Sequence, residues 1–135
     1  MDHMTPLTAK GQDMRTNRTA LRERWAQERK AARTARQRID IDAEWRHLER
    51  AHVLSQPMAG PHVRTHVAML GYALRHGDGR EIVGQLLRVV VAGPGTWTGR
   101  YPVGNTGGAN VRALEPVPIP DDLVRFLNPA VVTPA

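Results

Sequence analysis

Apolar residues recur at helical spacing through most of the chain, and the clearest example lies near its middle. There the apolar face recurs at i, i+4, i+7 and i+11 and consists of Ile41, Trp45, Leu48 and His52. Such spacing places side chains on one face of a helix. Asp40 or Asp42 can supply the N-cap, and Gln56-Pro57 ends the pattern. The sequence therefore predicts a helix over residues 40–56.

Three further helices follow from the same reasoning. Residues 14–39 are rich in helix-forming residues, with a narrow apolar stripe of Leu21, Trp25, Ala32 and Ile39. A helix over 61–76 begins at Pro61 and stops at Gly77. Asp78 and Glu81 have the spacing of a capping box, which begins a helix over 78–92 that ends at Gly93-Pro94-Gly95. The shared apolar face of this last helix is Ile82, Leu86, Val89 and Val90.

Short connections between these segments favour antiparallel packing, so we expect an all-α fold. The predicted architecture is a compact antiparallel bundle of about four helices, with a long glycine- and proline-rich C-terminal segment packed over it. One helical domain spans residues 14–127, including an irregular loop over 93–120 and a short helix over 121–127. Residues 1–13 and 128–135 are expected to be disordered tails.

The composition limits the chemistry that the chain can carry. Cysteine is absent, which excludes thiolate metal sites and thiol nucleophiles and leaves nitrogen and oxygen as metal ligands. No segment has the apolar pattern of a secretory signal or a membrane span, so a cytoplasmic protein is expected. Residues 15–38 hold nine basic and two acidic side chains, and the rest of the chain is close to neutral. This confines any docking of nucleic acid or an acidic protein to one segment.

Three histidines fall on helix faces that should point inward. His62 and His66 are about 40° apart on the apolar stripe of their helix, and i, i+4 neighbours can present nitrogens to one ion. His52 shares the inward face of the preceding helix, whereas His47 points outward. One histidine on an apolar face is usually a hydrogen-bonded core residue, but three on facing stripes favour a metal site.

Carboxylates accompany these histidines. Glu49 precedes His52 by three residues, a spacing found in helical carboxylate metal sites, and Glu81 of the next helix is a further candidate. The predicted ligands are His52, His62, His66 and Glu49, with Glu49 and Glu81 as the candidate catalytic residues. Such a set suits Zn, or Fe(II) held by two histidines and one carboxylate.

The glycine-rich loop permits three interpretations. Gly104, Asn105, Gly107 and Gly108 can form a backbone nest for an anion, a lid over the site, or a tight turn that needs positive φ. The loop lacks the lysine and the strand-to-helix setting of a phosphate loop, so no nucleotide cofactor is indicated. The polar row of Glu81, Gln85 and Arg88 either faces solvent or lines a pocket beneath this loop.

Four motifs in this order resemble the small bacterial proteins grouped as domain of unknown function 3703. They are residues 47–54, residues 61–70, Asp78 to Glu81 with Gln85, and residues 102–111, so the resemblance covers Asp42 to Leu127. It implies that His52, His62, His66, Glu81 and the loop belong to the family's own pattern. It implies no reaction, and the basic helix before Asp40 is not matched to it.

The sequence therefore favours a small metal-binding helical protein, which is open to being a metalloenzyme acting on a small molecule. The alternative is a non-catalytic interaction module that uses residues 15–38 to hold an acidic protein or nucleic acid. The oligomeric state is not indicated by the sequence.

Overall fold

Four long helices follow one another along the chain, and a short fifth helix lies near its C-terminal end. The computed structural model of the protein describes residues 6–98, 103–111 and 115–127. The helices of these ranges are α1 (Pro6–Gln37), α2 (Ile41–Ser55), α3 (Ala59–His76), α4 (Gly79–Trp97) and α5 (Asp121–Val124). The same residues form no β-strand, and α1 packs on α2, α2 on α3 and α3 on α4. The predicted all-α bundle is confirmed.

Two predicted helix ends are explained by hydrogen bonds. The Asp40 carboxylate accepts from the backbone N–H of Ala43 at 3.0 Å, so Asp40 rather than Asp42 is the N-cap of α2. Gly77 ends α3 in the left-handed conformation, with φ 67°, and its N–H donates to the carbonyl of Ala73. A residue without a Cβ adopts this conformation at little cost, which makes the turn into α4 tight.

Other predicted boundaries are wrong. The first helix begins at Pro6, so residues 6–13 are helical rather than part of a tail, whereas residues 1–5 and 128–135 lie outside the described ranges. Ile39 does not extend the stripe of α1, because it lies in the turn after the helix with φ 59° and is exposed. The fourth helix continues through Gly93-Pro94-Gly95 to Trp97. Proline removes one backbone donor, which weakens a helix without necessarily ending it.

The apolar core has two parts. The larger cluster joins α1 and α2 to the C-terminal segment and contains Leu21, Val53, Leu54, Met58, Leu123 and Leu127. The smaller cluster lies between the first three helices and contains Ala32, Leu48 and Met69. Trp25 connects α1 to α3 directly, because its indole N–H donates to Thr65 Oγ1 at 3.0 Å. The first helix is therefore part of the core and not an appended arm.

A buried acid on α1 was not anticipated from the sequence. Glu28 is 2% exposed, and its carboxylate accepts from Arg50 Nε at 2.8 Å and lies 2.6 Å from His47 Nδ1 and 2.7 Å from Arg24. Three partners compensate for the loss of water around the charge. His47 thus points away from the inward face of α2, as predicted, but it binds α1 instead of standing free in solvent.

The buried face of α4 differs from the predicted apolar face, of which Ile82 and Val89 are only half-buried. Glu81 and Gln85 are buried against the rest of the protein, whereas Leu86 and Val90 of the expected apolar face are exposed. Of the two readings of the polar row, the one that places it beneath the loop is correct for Glu81 and Gln85. None of the helices in the described ranges has the length and apolarity needed to cross a membrane.

Candidate metal centre

Three buried histidines meet between α2 and α3. His52 lies in the last turn of α2, and His62 and His66 lie one turn apart near the start of α3, after a connection of only three residues. Their exposed fractions are 3%, 6% and 3%. Imidazole is seldom buried so completely without a polar partner. The helix periodicity placed all three correctly on inward faces.

The three rings converge through their Nε2 atoms. His52 Nε2 lies 3.0 Å from His62 Nε2 and 3.1 Å from His66 Nε2. One ligand nitrogen from each ring lies within 4.8 Å of the other two, so the group could hold one metal ion. A tetrahedral zinc ion with Zn–N bonds of about 2.0 Å would separate its nitrogens by about 3.3 Å. The two shortest separations are slightly below that value.

The outer nitrogen of His52 is fixed by the loop. His52 Nδ1 lies 2.7 Å from the carbonyl oxygen of Asn105. A carbonyl can only accept, so we assign the hydrogen to Nδ1. In the neutral ring this leaves the lone pair on Nε2, facing the other two histidines. This is the usual outer partner of a metal-bound histidine.

The outer nitrogen of His66 is fixed by α4. His66 Nδ1 lies 2.7 Å from Gln85 Oε1. The amide orientation of Gln85 follows from its other end, because Gln85 Nε2 donates to Glu81 Oε1 at 2.5 Å and to the Gly107 carbonyl at 2.7 Å. Gln85 therefore turns its oxygen toward His66, and His66 carries its hydrogen on Nδ1. Its Nε2 lone pair also faces the cluster.

Burial keeps these rings neutral. It lowers the pKa of His66 to about 4, although the hydrogen bond that His66 donates to Gln85 acts in the opposite direction and the charge of Arg88 adds to the lowering. Burial also lowers the pKa of His52 well below its usual 6.5, with further lowering by His66 and His62. At neutral pH, two Nε2 lone pairs thus face each other across 3.1 Å with no hydrogen between them. That contact is repulsive unless a cation or a hydrogen-bond donor lies beside both nitrogens.

Glu49 is not part of the three-histidine cluster. It is half-buried one turn before His52 on α2, and burial raises the pKa of its carboxyl. A hydrogen bond from Trp45 opposes this rise, and the charge of Glu81 adds to it. The spacing correctly put Glu49 beside His52 in the helix, but its carboxylate is engaged elsewhere.

Glu81 reaches the cluster only through another residue. Its backbone N–H donates to Asp78 Oδ1 at 3.0 Å, which is one half of the predicted capping box. The other half does not form, because Glu81 Oε1 accepts from Gln85 and Glu81 Oε2 accepts from the N–H of Ala109 at 2.7 Å. Glu81 therefore orients Gln85 and ties the loop to α4.

The glycine-rich loop lies directly on His52. Gly104 and Gly107 have φ of 76° and 83°, and a Cβ on Gly107 would lie 2.7 Å from the His52 ring. A Cβ on Gly108 would lie 3.2 Å from the Trp45 ring. Position 107 thus requires glycine for two reasons, the positive φ and the close approach of the backbone to His52. The positive φ angles match the tight turn among the three interpretations of the loop, and the close approach shows that the loop packs on His52.

The loop amides already have acceptors within the protein. The N–H of Gly104 donates to Gln56 Oε1 at 3.0 Å, and the N–H of Gly107 donates to Asn105 Oδ1 at 2.9 Å. Asn105 is buried and also donates through Nδ2 to the carbonyl of Glu115. These bonds oppose the use of the loop as an anion nest. Sequence reasoning missed Gln56, which it took only as the end of a helix.

A small cavity lies between α2 and the C-terminal segment, and none of the three histidines lines it. Its volume is about 200 Å³, and it is lined by Arg46, Glu49, Arg50, Val53, Gly104, Thr106, Pro118 and Pro120. The hydroxyl of Thr106 is buried there without a hydrogen-bond partner among the described residues. Gly104 and Thr106 flank Asn105, the residue whose carbonyl binds His52. The cavity therefore shares its wall with the loop that covers the histidines.

The described residues form an all-helical fold with a buried three-histidine cluster against a glycine-rich loop. The profile of the family described as "Protein of unknown function (DUF3703)" matches residues 19–127, and the chain belongs to this family. The match extends beyond the motifs noted above, because it includes most of the basic helix α1. No curated protein and no solved structure matches the chain.

Proposed function

We propose that this protein binds one divalent metal ion through the Nε2 atoms of His52, His62 and His66. The observation that supports the proposal most strongly is the contact between His52 Nε2 and His66 Nε2, whose lone pairs face each other at 3.1 Å. An ion ligated by both nitrogens would turn this repulsion into two bonds. The outer bonds of His52 and His66 hold the rings in the orientation that such an ion needs.

The donor set favours zinc over iron. Three neutral imidazoles and no sulfur match a common zinc site, in which a fourth position is left for water or another ligand. A non-haem Fe(II) site of the facial type needs a carboxylate ligand. Glu49 and Glu81, the two candidates, are held by Trp45 and by Gln85 with Ala109. We therefore propose that both carboxylates lie outside the coordination sphere while the loop is closed.

The cavity between α2 and the loop is the space that a small molecule would occupy, and the ion would reach it only past the loop. A bound zinc ion would supply an activated water or polarise a carbonyl group. Glu49 lines that cavity, and its raised pKa suits a residue that gives up and takes back a proton. This role for Glu49 is a separate proposal, and disproving it would not disprove metal binding by the histidines.

The metal content of protein purified without a histidine tag tests the proposal. After chelation and reconstitution with zinc, elemental analysis is expected to give one ion per chain for the wild type and near zero for His62→Ala and His66→Ala. His47→Ala and His76→Ala are matched controls outside the cluster and should keep one ion. Zinc retained by the double variant His62→Ala, His66→Ala would contradict the site.

An anion-binding role for α1 is the second candidate. Arg29, Arg33 and Arg64 line a cleft of about 450 Å³ together with Trp25 and Val67. Burial lowers the pKa of Arg29, and the charge of Arg33 adds to that effect. Among the described residues none of these three arginines forms an ion pair with an acid. Such a cleft would accept a phosphate or carboxylate of an acidic partner or nucleic acid.

Salt dependence tests this second role. Binding to a short DNA or RNA duplex should weaken steeply between low and moderate salt, because each neutralised phosphate releases counterions. Replacing Arg29, Arg33 and Arg64 together by Gln should abolish it, whereas replacing Arg36, Arg38 and Arg80 by Gln should leave most of it. The absence of binding even at low salt would remove nucleic acid as a partner.

A further inference from the structure

The outer face of α4 carries a row of apolar side chains that nothing in the described part of the chain covers. The row consists of Val83, Leu86, Leu87, Val90 and Val91. Their exposed fractions run from 52% to 75%. The spacing of i, i+3, i+4, i+7 and i+8 puts all five on one continuous stripe of the helix. Helices normally turn such a stripe toward a core, so α4 is packed with its polar face inward and its apolar face outward.

The inward face explains why α4 cannot simply rotate. Gln85 and Glu81 hold His66 and the loop through three hydrogen bonds, and Arg88 donates to the carbonyl of Val111 at 3.0 Å. Turning the valines and leucines inward would break all of these bonds, and apolar side chains could not replace them. The apolar row therefore stays on the outer face of α4, uncovered by the described residues.

The size of the row matches a protein interface. Five half- to three-quarter-exposed valine and leucine side chains present roughly 400 Å² of apolar surface, which is the size of the largest apolar patch on a typical protein, a patch that is often functional. Two copies of the row facing each other would bury roughly 800 Å². With the polar rim that surrounds such contacts, the total reaches the area of about 1,000 Å² that a specific interface needs.

The charge pattern suits a second copy of the same chain. The row itself is uncharged, and the strongly basic α1 packs on α2, two helices away from α4, so the positive charges of two copies stay apart. In an antiparallel pair, Arg80 of one copy lies near the C-terminal end of the other α4. The helix dipole favours a cation at that end. A twofold axis near Leu87 makes the row complementary to itself.

We propose that the protein forms a symmetric homodimer through antiparallel packing of the α4 faces, with Leu87 near the twofold axis. The dimer does not depend on metal binding, because the row lies on the face of α4 opposite to Gln85, which contacts His66. It would, however, hold Gln85 and Glu81 in place from behind, since these residues lie on the inner face of the same helix.

Sedimentation of the full chain tests the proposal. The wild type is expected at about 30 kDa, twice the 15.0 kDa of the chain, over a range of micromolar concentrations. Leu87→Glu and Val90→Glu should each sediment as monomers with unchanged helical circular dichroism. Val67→Glu is a matched control, because Val67 is also 52% exposed but lines the cleft beside α1. A monomeric wild type would overturn the dimer and point to another segment of the chain covering α4.

Cross-linking locates the axis without disturbing the fold. The chain has no cysteine, so a single Leu87→Cys variant carries one thiol. On a twofold axis near Leu87 this thiol meets its counterpart, and mild oxidation should give a covalent dimer within minutes. Val67→Cys should cross-link far more slowly under the same conditions. Equal rates for the two variants, or a dimer that survives Leu87→Glu, would overturn the proposed interface.

Discussion

Gln85 Oε1 lies 2.7 Å from His66 Nδ1, and the other end of the same amide is held by Glu81 and by the loop. The uncharged side chain of Gln85 thereby sets the hydrogen position on His66 and ties α4 to the glycine-rich loop. An amide is suited to this task because its two ends have opposite hydrogen-bonding character. The orientation of His66 is therefore coupled to the closure of the loop.

Replacing Gln85 should weaken metal binding without removing it. Gln85→Ala leaves His66 free to rotate and to carry its hydrogen on either nitrogen, and loss of such an outer partner typically costs 10- to 100-fold in affinity. Competition with a chromogenic zinc chelator measures the change. Gln27→Ala, on the exposed side of α1, is the matched control. An affinity equal to that of the wild type would show that Gln85 does not orient a ligand.

Gly107→Ala should destabilise the protein. The added methyl group would lie 2.7 Å from the His52 ring, and φ of 83° is unfavourable for alanine. Together these effects should lower the free energy of unfolding by about 2 kcal/mol or more. Gly60→Ala is the control, because nothing lies within 4 Å of its Cβ position in the first turn of α3. Urea denaturation compares the two variants, and equal stability would mean that the loop does not pack on His52.

The metal-free protein should lose stability as the pH falls below neutral. His66 has a folded pKa of about 4, below the 6.5 of the unfolded chain, so the unfolded state takes up the proton first. The stabilising contribution is therefore complete above pH 6.5 and is lost as the pH falls from 6.5 to about 4. This gap corresponds to about 3 kcal/mol, and the lowered pKa of His52 acts in the same direction.

Urea denaturation of the chelated protein between pH 7.5 and 5 measures this dependence. His66→Gln should flatten the profile, whereas His76→Gln, which replaces an exposed histidine, should leave it unchanged. The same slope in the wild type and in His66→Gln would mean that His66 is not buried in its neutral form.

The inward positions of His52, His62 and His66 could be predicted because helix periodicity is a local property of the sequence. The caps at Asp40 and Gly77 follow from local chemistry in the same way. The partners of the histidines could not be predicted, since the carbonyl of Asn105 lies 53 residues after His52 and is brought to it only by the path of the loop. Every residue has a backbone carbonyl, so the residue type does not identify the one that binds His52.

The buried polar side chains of α4 show what hydrophobic periodicity alone cannot predict. Periodicity assigns the apolar stripe to the inside, but Glu81 and Gln85 are buried because each finds a polar partner. Glu28 is buried for the same reason, with Arg24, His47 and Arg50 around it. Burial of a polar side chain depends on groups that are distant in sequence. Helical spacing fixes the face on which Glu49 lies but not the partner of its carboxylate. Spacing alone therefore could not predict whether Glu49 joins the cluster.

Zinc K-edge X-ray absorption of the reconstituted, tag-free protein tests the central claim most directly, because it counts the imidazoles around the ion. We expect three imidazole nitrogens at about 2.0 Å, one further ligand such as water, and no carboxylate bound through two oxygens. His62→Ala should show a loss of imidazole scattering or no bound zinc, and His47→Ala should give the wild-type spectrum. A bound ion with one imidazole or none in the wild type would contradict the three-histidine centre.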